Sequence, residues 1–388
     1  MPTNIEEGFA TKAIHAGQDP QQWNYYPAVG PIVMSTTFRQ DGPGDHQGFD
    51  YGRSGNPTRN MLETCLAAIE NGKHALTFAS GLGAVTSLTA LLQAGDHIIC
   101  VDDVYGGTNR YFKHCLAKNN IKITFADGTN IKNFINTIQD NTKMVWIETP
   151  TNPLLKLIDI RAAVDAIKAI RSDIIVVVDN SFLTCYFQKP LELGADIVLY
   201  SITKYMNGHS DVVMGAAILR SDELEKKLRF IQNALGIIPS PFDCSQVSRS
   251  LKTLEVRMKQ HMKGGLAVAK FLESHPHVER VFHPLLPSHP QYELAKKQMT
   301  GHSGMVTFYL KGDSAKFLKA LKIFIIAESL GGYESLAELP SVMTHASLSQ
   351  ETRDELGIND QLIRLSVGLE TESDLIADLD QALKAAQL

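Results

Sequence analysis

The most informative absence in this 388-residue sequence is that of any long apolar run. A membrane-spanning helix needs about 18 consecutive apolar residues, and no stretch approaches that length, so we expect no membrane contact. The first residues, MPTNIEEGFATKAIHAGQ, lack the apolar segment of a secretory signal, which predicts a cytoplasmic location. The 37 Lys and Arg and the 42 Asp and Glu form no long block of one sign, so no nucleic-acid partner is expected.

Cysteine is also scarce. The five cysteines lie far apart and form no CxxC pair: Cys65, Cys100, Cys115, Cys185 and Cys244. This spacing argues against a zinc site, and we expect no metal. In a chain without a secretion signal, such cysteines are more typical of reduced, buried thiols than of a disulfide framework.

From residue 57 onward, short apolar runs alternate with helical patterns. The runs that we interpret as strands are ALTFAS, HIICVDD, KITFAD, KMVWIET, IIVVVDN, DIVLYS and MGAAILR. They are apolar throughout, which indicates strands covered on both faces. Two of the intervening helices are expected to run from Pro57 to Gly72 and from 81 to Gly95. The alternation predicts an α/β fold with a mostly parallel seven-stranded sheet.

Two flanking regions have a different texture. Residues 1–56 are rich in turn formers and aromatic side chains, and we expect this arm to reach a neighbouring subunit. Residues 57–243 are interpreted as the large domain, and 244–388 as a smaller α+β domain. The smaller domain begins with one long helical pattern over 245–276, continues with the strands GMVTFYL and LIRLSVG, and ends in a helix from 372.

Chemically useful side chains follow the predicted strands at their carboxyl ends, where open α/β sheets bind ligands. ALTFAS leads into Gly81 and Leu82 at a helix start, where free amides favour an anion, although such glycines are more often only turn formers. HIICVDD leads to Tyr105, which is either a packed aromatic or a ring that stacks on a planar cofactor. DIVLYS leads to Ser201 and Thr203.

Three ionisable residues each allow two interpretations. Lys204 is either a solvated loop lysine or, among Ser, Thr, Gly and Asn, a desolvated amine that forms a Schiff base. Asp179 ends an apolar strand either as a backbone cap or as the partner of a protonated ring nitrogen. Arg364, within LIRLSVG, needs a structural carboxylate or a substrate carboxylate. With an anion site and a stacking ring, these parts together fit pyridoxal 5′-phosphate.

Many segments resemble the Cys/Met-metabolism family of pyridoxal-phosphate-dependent enzymes. The clearest are VVVDNSF, ADIVLYSITKYMNGHSDVVMG, YGRSGNPTRN, WIETPTNP, AESLGGYESLAELP and LIRLSVGLE, and the likeness runs over almost the whole chain. The resemblance implies the aminotransferase-like fold known as fold type I. It also implies a homotetramer built from two active dimers.

The resemblance assigns roles to individual residues. Lys204 matches the lysine that carries the cofactor as a Schiff base, Asp179 the partner of the pyridine nitrogen, and Tyr105 the stacking ring. The remaining matches are the phosphate-binding positions Gly81, Leu82, Ser201 and Thr203, the positions Tyr51 and Arg53 that reach the phosphate in the neighbouring subunit, and the substrate-carboxylate positions Asn152, Ser329 and Arg364. Ser181 stands where the family usually has threonine, and it keeps the hydroxyl of this cofactor-binding position.

Within the family, the likeness is greatest to enzymes that cleave L-cystathionine by α,γ-elimination to L-cysteine, 2-oxobutanoate and ammonia. Hydrogen sulfide release from cysteine or homocysteine stays open as a side activity. Methionine-cleaving members carry cysteine where this chain has Gly107, and an apolar residue where it has Glu328. A carboxylate at 328 suits the distal ammonium of cystathionine, unless it is only a solvated surface group.

Two alternatives stay open at this point. Members of the family that join cysteine to an activated homoserine share most of these residues. A binding or scaffold protein that keeps the fold without the cofactor is the second alternative, and the presence of Lys204 and Asp179 argues against it.

Overall fold

The computed structural model describes residues 8–346 and 349–388, so the first seven residues of the predicted arm lie outside it. The arm begins with helix α1 (Phe9–His15), because Phe9 and Ala13 stand four residues apart and share one apolar face. Ala13 is buried, and its carbonyl accepts a hydrogen bond from Lys252 Nζ at 2.7 Å. After α1 the arm is mostly irregular, apart from one hairpin of β1 (Gln40–Gly42) and β2 (Asp45–His46).

The large sheet and the helices around it follow in the chain. Their bounds are α2 (Pro57–Glu70), β3 (His74–Phe78), α3 (Gly81–Thr89), β4 (His97–Val101), α4 (Gly106–His114), β5 (Lys122–Ala126), α5 (Ile131–Thr137), β6 (Thr142–Glu148), α6 (Ile160–Ile170), β7 (Ile175–Asp179), α7 (Thr184–Phe187), β8 (Ile197–Ser201) and β9 (Gly215–Leu219). The seven strands are ordered β3-β9-β8-β7-β6-β4-β5. Only β9 runs against the others among the described strands. The expected mostly parallel seven-stranded sheet is confirmed.

Two helices end before the glycines that the sequence indicated. Helix α2 ends at Glu70, and the left-handed residue that closes it is Asn71. Gly72 has a different reason to be glycine, because a Cβ there would lie 2.5 Å from Cγ2 of Ile218. Helix α3 ends at Thr89, well before Gly95, whose φ of +96° belongs to the turn into β4.

The first two of the remaining elements are helices that pack beside the large sheet, and the others build a second, smaller sheet and its helices. Their bounds are α8 (Asp222–Leu235), α9 (Pro241–Leu251), α10 (Leu254–Ser274), β10 (Val278–Phe282), α11 (Tyr292–Gln298), β11 (Met305–Leu310), α12 (Ser314–Ala320), β12 (Ile325–Ile326), β13 (Leu336–Glu338), α13 (Gln350–Leu356), β14 (Leu362–Ser366) and α14 (Glu372–Ala385). The strand order is β10-β11-β14-β13-β12. All of these neighbours are antiparallel except β12 and β13.

The single helix expected over 245–276 is in fact two helices. Helix α9 packs on α2, beside the large sheet, whereas α10 packs on β10 and β11 of the small sheet. The chain turns between them at 252–253 because its two halves cover different sheets. Within the described residues, no helix combines the length and the apolar character that crossing a membrane requires.

Candidate active site

A cavity of about 350 Å³ lies at the carboxyl ends of the large-sheet strands. Twelve of the predicted site residues line it, namely Gly81, Leu82, Tyr105, Asn152, Asp179, Ser181, Ser201, Thr203, Lys204, Glu328, Ser329 and Arg364. We call the lining residues within 80–213 the large-sheet wall. Those within 328–364 are the small-sheet wall.

Tyr51 and Arg53 do not line this cavity. Tyr51 is 46% exposed, and the Arg53 guanidinium lies 5.4 Å from the centre of its ring. Arg53 Nε donates a hydrogen bond to Oδ1 of Asn233 at 3.0 Å. Their expected role toward a neighbouring subunit stays a prediction.

The start of helix α3 forms a cradle of backbone amides against the end of β8. Ser80 caps the helix, since its Oγ accepts a hydrogen bond from the Gly83 N–H at 2.8 Å. A Cβ on Gly81 would lie 3.1 Å from Oγ of Ser201, so the glycine lets the two segments meet closely. Free amides at such a helix start favour an anion, and a phosphate group fits there.

Lys204 sits in the turn that follows β8, and its Nζ donates a hydrogen bond to Oγ of Ser329 at 2.8 Å. Burial lowers the pKa of Lys204 to about 8, and the nearby Arg364 cation acts in the same direction. The neutral form of this amine is therefore far more populated at physiological pH than that of an ordinary lysine, although the protonated form predominates. A neutral amine is the form that attacks an aldehyde or removes a proton.

The turn that holds Lys204 is fixed by Arg257 of α10, a residue that the sequence did not single out. Its guanidinium donates to the carbonyls of Tyr205 at 2.6 Å and Met206 at 3.2 Å, and the side chain is buried. Gly208 adopts φ +68°, and a Cβ there would clash with the guanidinium at 2.2 Å. The only signal in the sequence was an arginine on the apolar face of a helix.

Ser181 orients the Asp179 carboxylate by donating two hydrogen bonds to it. Oδ1 of Asp179 accepts from the Ser181 N–H at 3.0 Å and from the Ser181 hydroxyl at 2.6 Å. The same hydroxyl accepts from the Ser201 N–H at 2.7 Å. Burial raises the pKa of Asp179 to about 6, and the Ser181 hydrogen bonds oppose that rise, so the group is mostly a carboxylate at neutral pH. Serine thus provides the hydroxyl that this network needs.

Tyr105 stands at the start of α4, and the residue is 41% exposed. Its main-chain N–H donates to Oε2 of Glu148 at 2.9 Å. A Cβ on Gly107 would lie 2.5 Å from Cε1 of the ring, so a cysteine at 107 requires the ring to move. Thr203 lines the cavity, but its hydroxyl is engaged with the backbone of Met214.

Arg364 dominates the small-sheet wall, where it is 2% exposed. It donates to Oδ1 of Asn152 at 3.0 Å and to the carbonyl of Ser329 at 2.6 Å. It also pairs with the Glu338 carboxylate at 2.9 Å, so a structural carboxylate is present. Its Nε has no hydrogen-bond partner within the described residues, and the side chain still lines the cavity, which leaves it able to meet a second anion.

Glu338 is a further residue that sequence reasoning missed. It lies opposite Arg364 in the antiparallel register of β13 and β14, and Thr344 Oγ1 donates to its Oε1 at 2.7 Å. A charged residue inside the run LAELP was the available signal. Glu328, by contrast, is an exposed carboxylate that lines the cavity.

These features fit a cofactor that carries both a phosphate and an aldehyde. The amide cradle at Gly81 suits the phosphate, the Lys204 amine suits the aldehyde, and Asp179 is a carboxylate for a ring nitrogen. Within residues 8–346 and 349–388, no group of three or more His, Cys, Asp or Glu is placed to hold a metal ion. Fold and site define a pyridoxal-phosphate enzyme of fold type I.

Comparison with known proteins gives the family. The profile of the Cys/Met metabolism PLP-dependent enzymes matches residues 10–384. Cystathionine gamma-lyase of Mus musculus is 60% identical over 381 residues, which cover 97% of this chain and 96% of the relative. The chain belongs to the Cys/Met metabolism family of PLP-dependent enzymes, and pyridoxal phosphate is its cofactor.

Solved structures agree on the fold at lower identity. The cystathionine gamma synthase of Xanthomonas oryzae pv. oryzae, in complex with aminoacrylate and cysteine, has a TM-score of 0.95 and 41% identity. The cystathionine gamma-lyase of Lactobacillus plantarum, complexed with L-serine, has a TM-score of 0.95 and 39% identity. In both cases the match covers 98% of this chain and 99% of the other. Shape alone therefore does not separate lyase from synthase.

Proposed function

We propose that this chain is a carbon–sulfur lyase that converts L-cystathionine to L-cysteine, 2-oxobutanoate and ammonia by α,γ-elimination. The observation that carries the proposal is the convergence of Lys204, Asp179 and Arg364 on one cavity lined also by Glu328. The relative at 60% identity is named a γ-lyase, whereas the γ-synthase structure is 41% identical. This difference favours the lyase.

On the large-sheet wall, we assign cofactor roles to the predicted residues. The amides at Gly81 and Leu82 hold the phosphate together with Ser201. Thr203 joins them when its hydroxyl turns away from the main-chain carbonyl to which it donates a hydrogen bond. Tyr105 covers the ring. Pyridoxal phosphate, when bound, withdraws electrons from the carbon that bears the substrate amine.

The catalytic roles follow from charge and proton affinity. Asp179 keeps a negative charge for the ring nitrogen, and Ser181 orients that carboxylate. Lys204 attaches the cofactor and, with a pKa of about 8, takes up and returns protons near neutral pH. Such a positioned acid–base group is worth about 10²–10⁴-fold in rate.

Arg364 and Ser329 of the small-sheet wall bind the substrate α-carboxylate together with Asn152 of the large-sheet wall. The fixed planar guanidinium of Arg364 suits a carboxylate. Glu328 lines the same cavity, and we assign it the role of attracting the distal ammonium that cystathionine carries and methionine lacks. This charge difference supports cystathionine over methionine as the substrate.

The assembly that we propose is a homotetramer of two active dimers, in which the arm completes the neighbouring site through Tyr51 and Arg53. The arm supports this because Tyr25, Tyr26 and Val29 are 99%, 69% and 73% exposed, an apolar surface suited to a second copy. A cytoplasmic location fits the five free cysteines.

Steady-state assays in two directions test the function. The protein is given L-cystathionine, and L-cysteine and 2-oxobutanoate are followed. In parallel, L-cysteine and an activated homoserine are supplied, and cystathionine is followed. We expect the first reaction to be the faster. A protein that only forms cystathionine would show that the γ-synthase alternative is correct.

A further inference from the structure

Two buried carboxyl groups connect the loop that carries Tyr105 with the loop that carries Asn152. Glu148, at the end of β6, accepts a hydrogen bond from the Tyr105 N–H through Oε2 at 2.9 Å. In the other direction, Asp103 Oδ2 accepts from the Thr151 hydroxyl at 2.7 Å. Each loop therefore supplies a carboxyl acceptor to the other. We call this pair of residues, Asp103 and Glu148, the carboxyl clasp.

Both members of the carboxyl clasp are shielded from water. Asp103 is 1% exposed and Glu148 is 6% exposed. Burial raises the pKa of Asp103 to about 7, against the attraction of Lys156. Burial also raises the pKa of Glu148 well above its ordinary value, and the neighbouring Asp179 carboxylate raises it further.

Glu148 and Asp179 lie side by side, in register on β6 and β7. Glu148 is buried and Asp179 is half-buried. Two such adjacent carboxyls do not both ionise readily, because like charges repel and solvation is poor. Asp179 accepts two hydrogen bonds from Ser181 and is attracted by Lys204. The one hydrogen bond found for Glu148 within the described residues comes from Tyr105. The arrangement therefore favours the negative charge on Asp179 and the proton on Glu148.

We propose that Asp103 and Glu148 are positioning residues. Through its hydrogen bond Glu148 fixes the loop that carries the Tyr105 ring, and Asp103 fixes the loop that carries the Asn152 amide. Glu148 acts on the cofactor through Tyr105. Asp103 acts on the substrate carboxylate through the Thr151–Asn152 segment. The substrate part rests on the proposed function, whereas the cofactor part rests only on the family's cofactor.

Four variants of the holoenzyme separate these roles: Glu148→Gln, Glu148→Ala, Asp103→Asn and Asp103→Ala. Gln and Asn keep a neutral acceptor of the same shape, so we expect both to stay within about threefold of the parent protein. Glu148→Ala leaves the Tyr105 N–H without its acceptor and should weaken cofactor binding about tenfold. Asp103→Ala should raise KM for L-cystathionine about tenfold while kcat and cofactor binding stay near the parent values.

The readouts are the dissociation constant of pyridoxal phosphate from equilibrium dialysis, the visible circular dichroism of the bound cofactor, and KM and kcat. The dichroism reports the ring's surroundings, so Glu148→Ala should reduce it and Asp103→Ala should not. If Glu148→Ala does not fold, Glu148→Asp replaces it, because the shorter side chain cannot reach the Tyr105 N–H and should show the same loss.

Three results would overturn the proposal. Glu148→Gln that is as impaired as Glu148→Ala would mean that charge, not a neutral acceptor, is needed. Glu148→Ala with parental cofactor affinity and dichroism would remove its positioning role. If Asp103→Ala binds amino acids as tightly as the parent protein, Asp103 does not position the substrate site. If the parent protein is inactive on L-cystathionine, the proposed function is refuted instead. The role of Asp103 is then tested by comparing the affinity of the parent protein and of Asp103→Ala for L-serine in a spectral titration.

Discussion

The large-sheet wall and the small-sheet wall meet in one cavity but come from sheets of different topology. On the large-sheet wall, side chains leave the carboxyl ends of successive parallel strands, which all point to the same edge. On the small-sheet wall, Arg364 projects from an antiparallel strand and is positioned by partners distant in sequence, such as Glu338 and Asn152. The positions of the side chains on the large-sheet wall follow from strand order. Those on the small-sheet wall depend on contacts between residues distant in sequence. Four experiments test this difference.

The largest effect is expected at Lys204, on the large-sheet wall. Lys204→Ala removes both the attachment of the cofactor and the proton carrier, so turnover should fall by at least about 10²–10⁴-fold. The visible absorbance of covalently attached cofactor should also disappear. Lys252→Ala is the matched control, because Lys252 is another partly buried lysine whose Nζ binds a carbonyl, that of Ala13. A yellow, active Lys204→Ala protein would contradict the assignment.

The next largest effect is expected at Arg364, on the small-sheet wall. Arg364→Lys loses the forked guanidinium that contacts Asn152, Ser329 and an incoming carboxylate. KM for L-cystathionine should rise about 10- to 100-fold, with the cofactor absorbance unchanged. Arg229→Lys provides the control, since Arg229 also pairs with a buried carboxylate, that of Glu63, at 2.9 Å. Loss of the cofactor in Arg364→Lys would show that the two walls are not separable.

A moderate loss of stability is expected at low pH. We assign it to His345, which lies behind the small-sheet wall. Its Nε2 lies 3.2 Å from the carbonyl of Asn152, and burial lowers its pKa to about 4. In the unfolded chain the pKa is about 6.5, so the unfolded state binds more protons once the pH falls below that value. The contribution of His345 to the free energy of unfolding is therefore complete above about pH 6.5. It decreases toward pH 4, and about 2 kcal/mol of it is lost at pH 5.

His345→Gln tests this by thermal unfolding at about pH 7 and pH 5. Glutamine keeps a donor for the Asn152 carbonyl but does not titrate. The midpoint of the variant should therefore fall by a few degrees less than that of the parent protein between the two conditions. An equal fall in both proteins would exclude His345 as a source of acid sensitivity.

The smallest effect is expected at Glu328, because its carboxylate is exposed and exposed charge pairs are weak. Glu328→Gln should raise KM for L-cystathionine by no more than about fivefold. A substrate without a distal ammonium should be unaffected. Glu223→Gln, an exposed carboxylate paired with Lys227, is the control. An equal change with both substrates would assign Glu328 a structural role.

The sequence was most informative where geometry follows from strand order. Asp179 and Lys204 could be predicted to lie close together because each follows a buried strand, and parallel strands end at one edge. Arg257 and Glu338 could not, because their partners Tyr205 and Arg364 are set by how the small sheet and its helices pack. Helix ends were also misjudged where a glycine serves close packing, as Gly72 does against Ile218.

The reversed direction of β9 has a consequence for how the chain folds. Strands β8 and β9 pair directly across the short connection 202–214, which contains Lys204, whereas parallel neighbours need longer crossovers. Contacts between nearby segments close faster than contacts between remote ones. During refolding, the amides of the β8–β9 pair should gain protection against pulsed hydrogen exchange before those of the β4–β6 pair. The connection that contains Lys204 should therefore form while most of the sheet is still unformed.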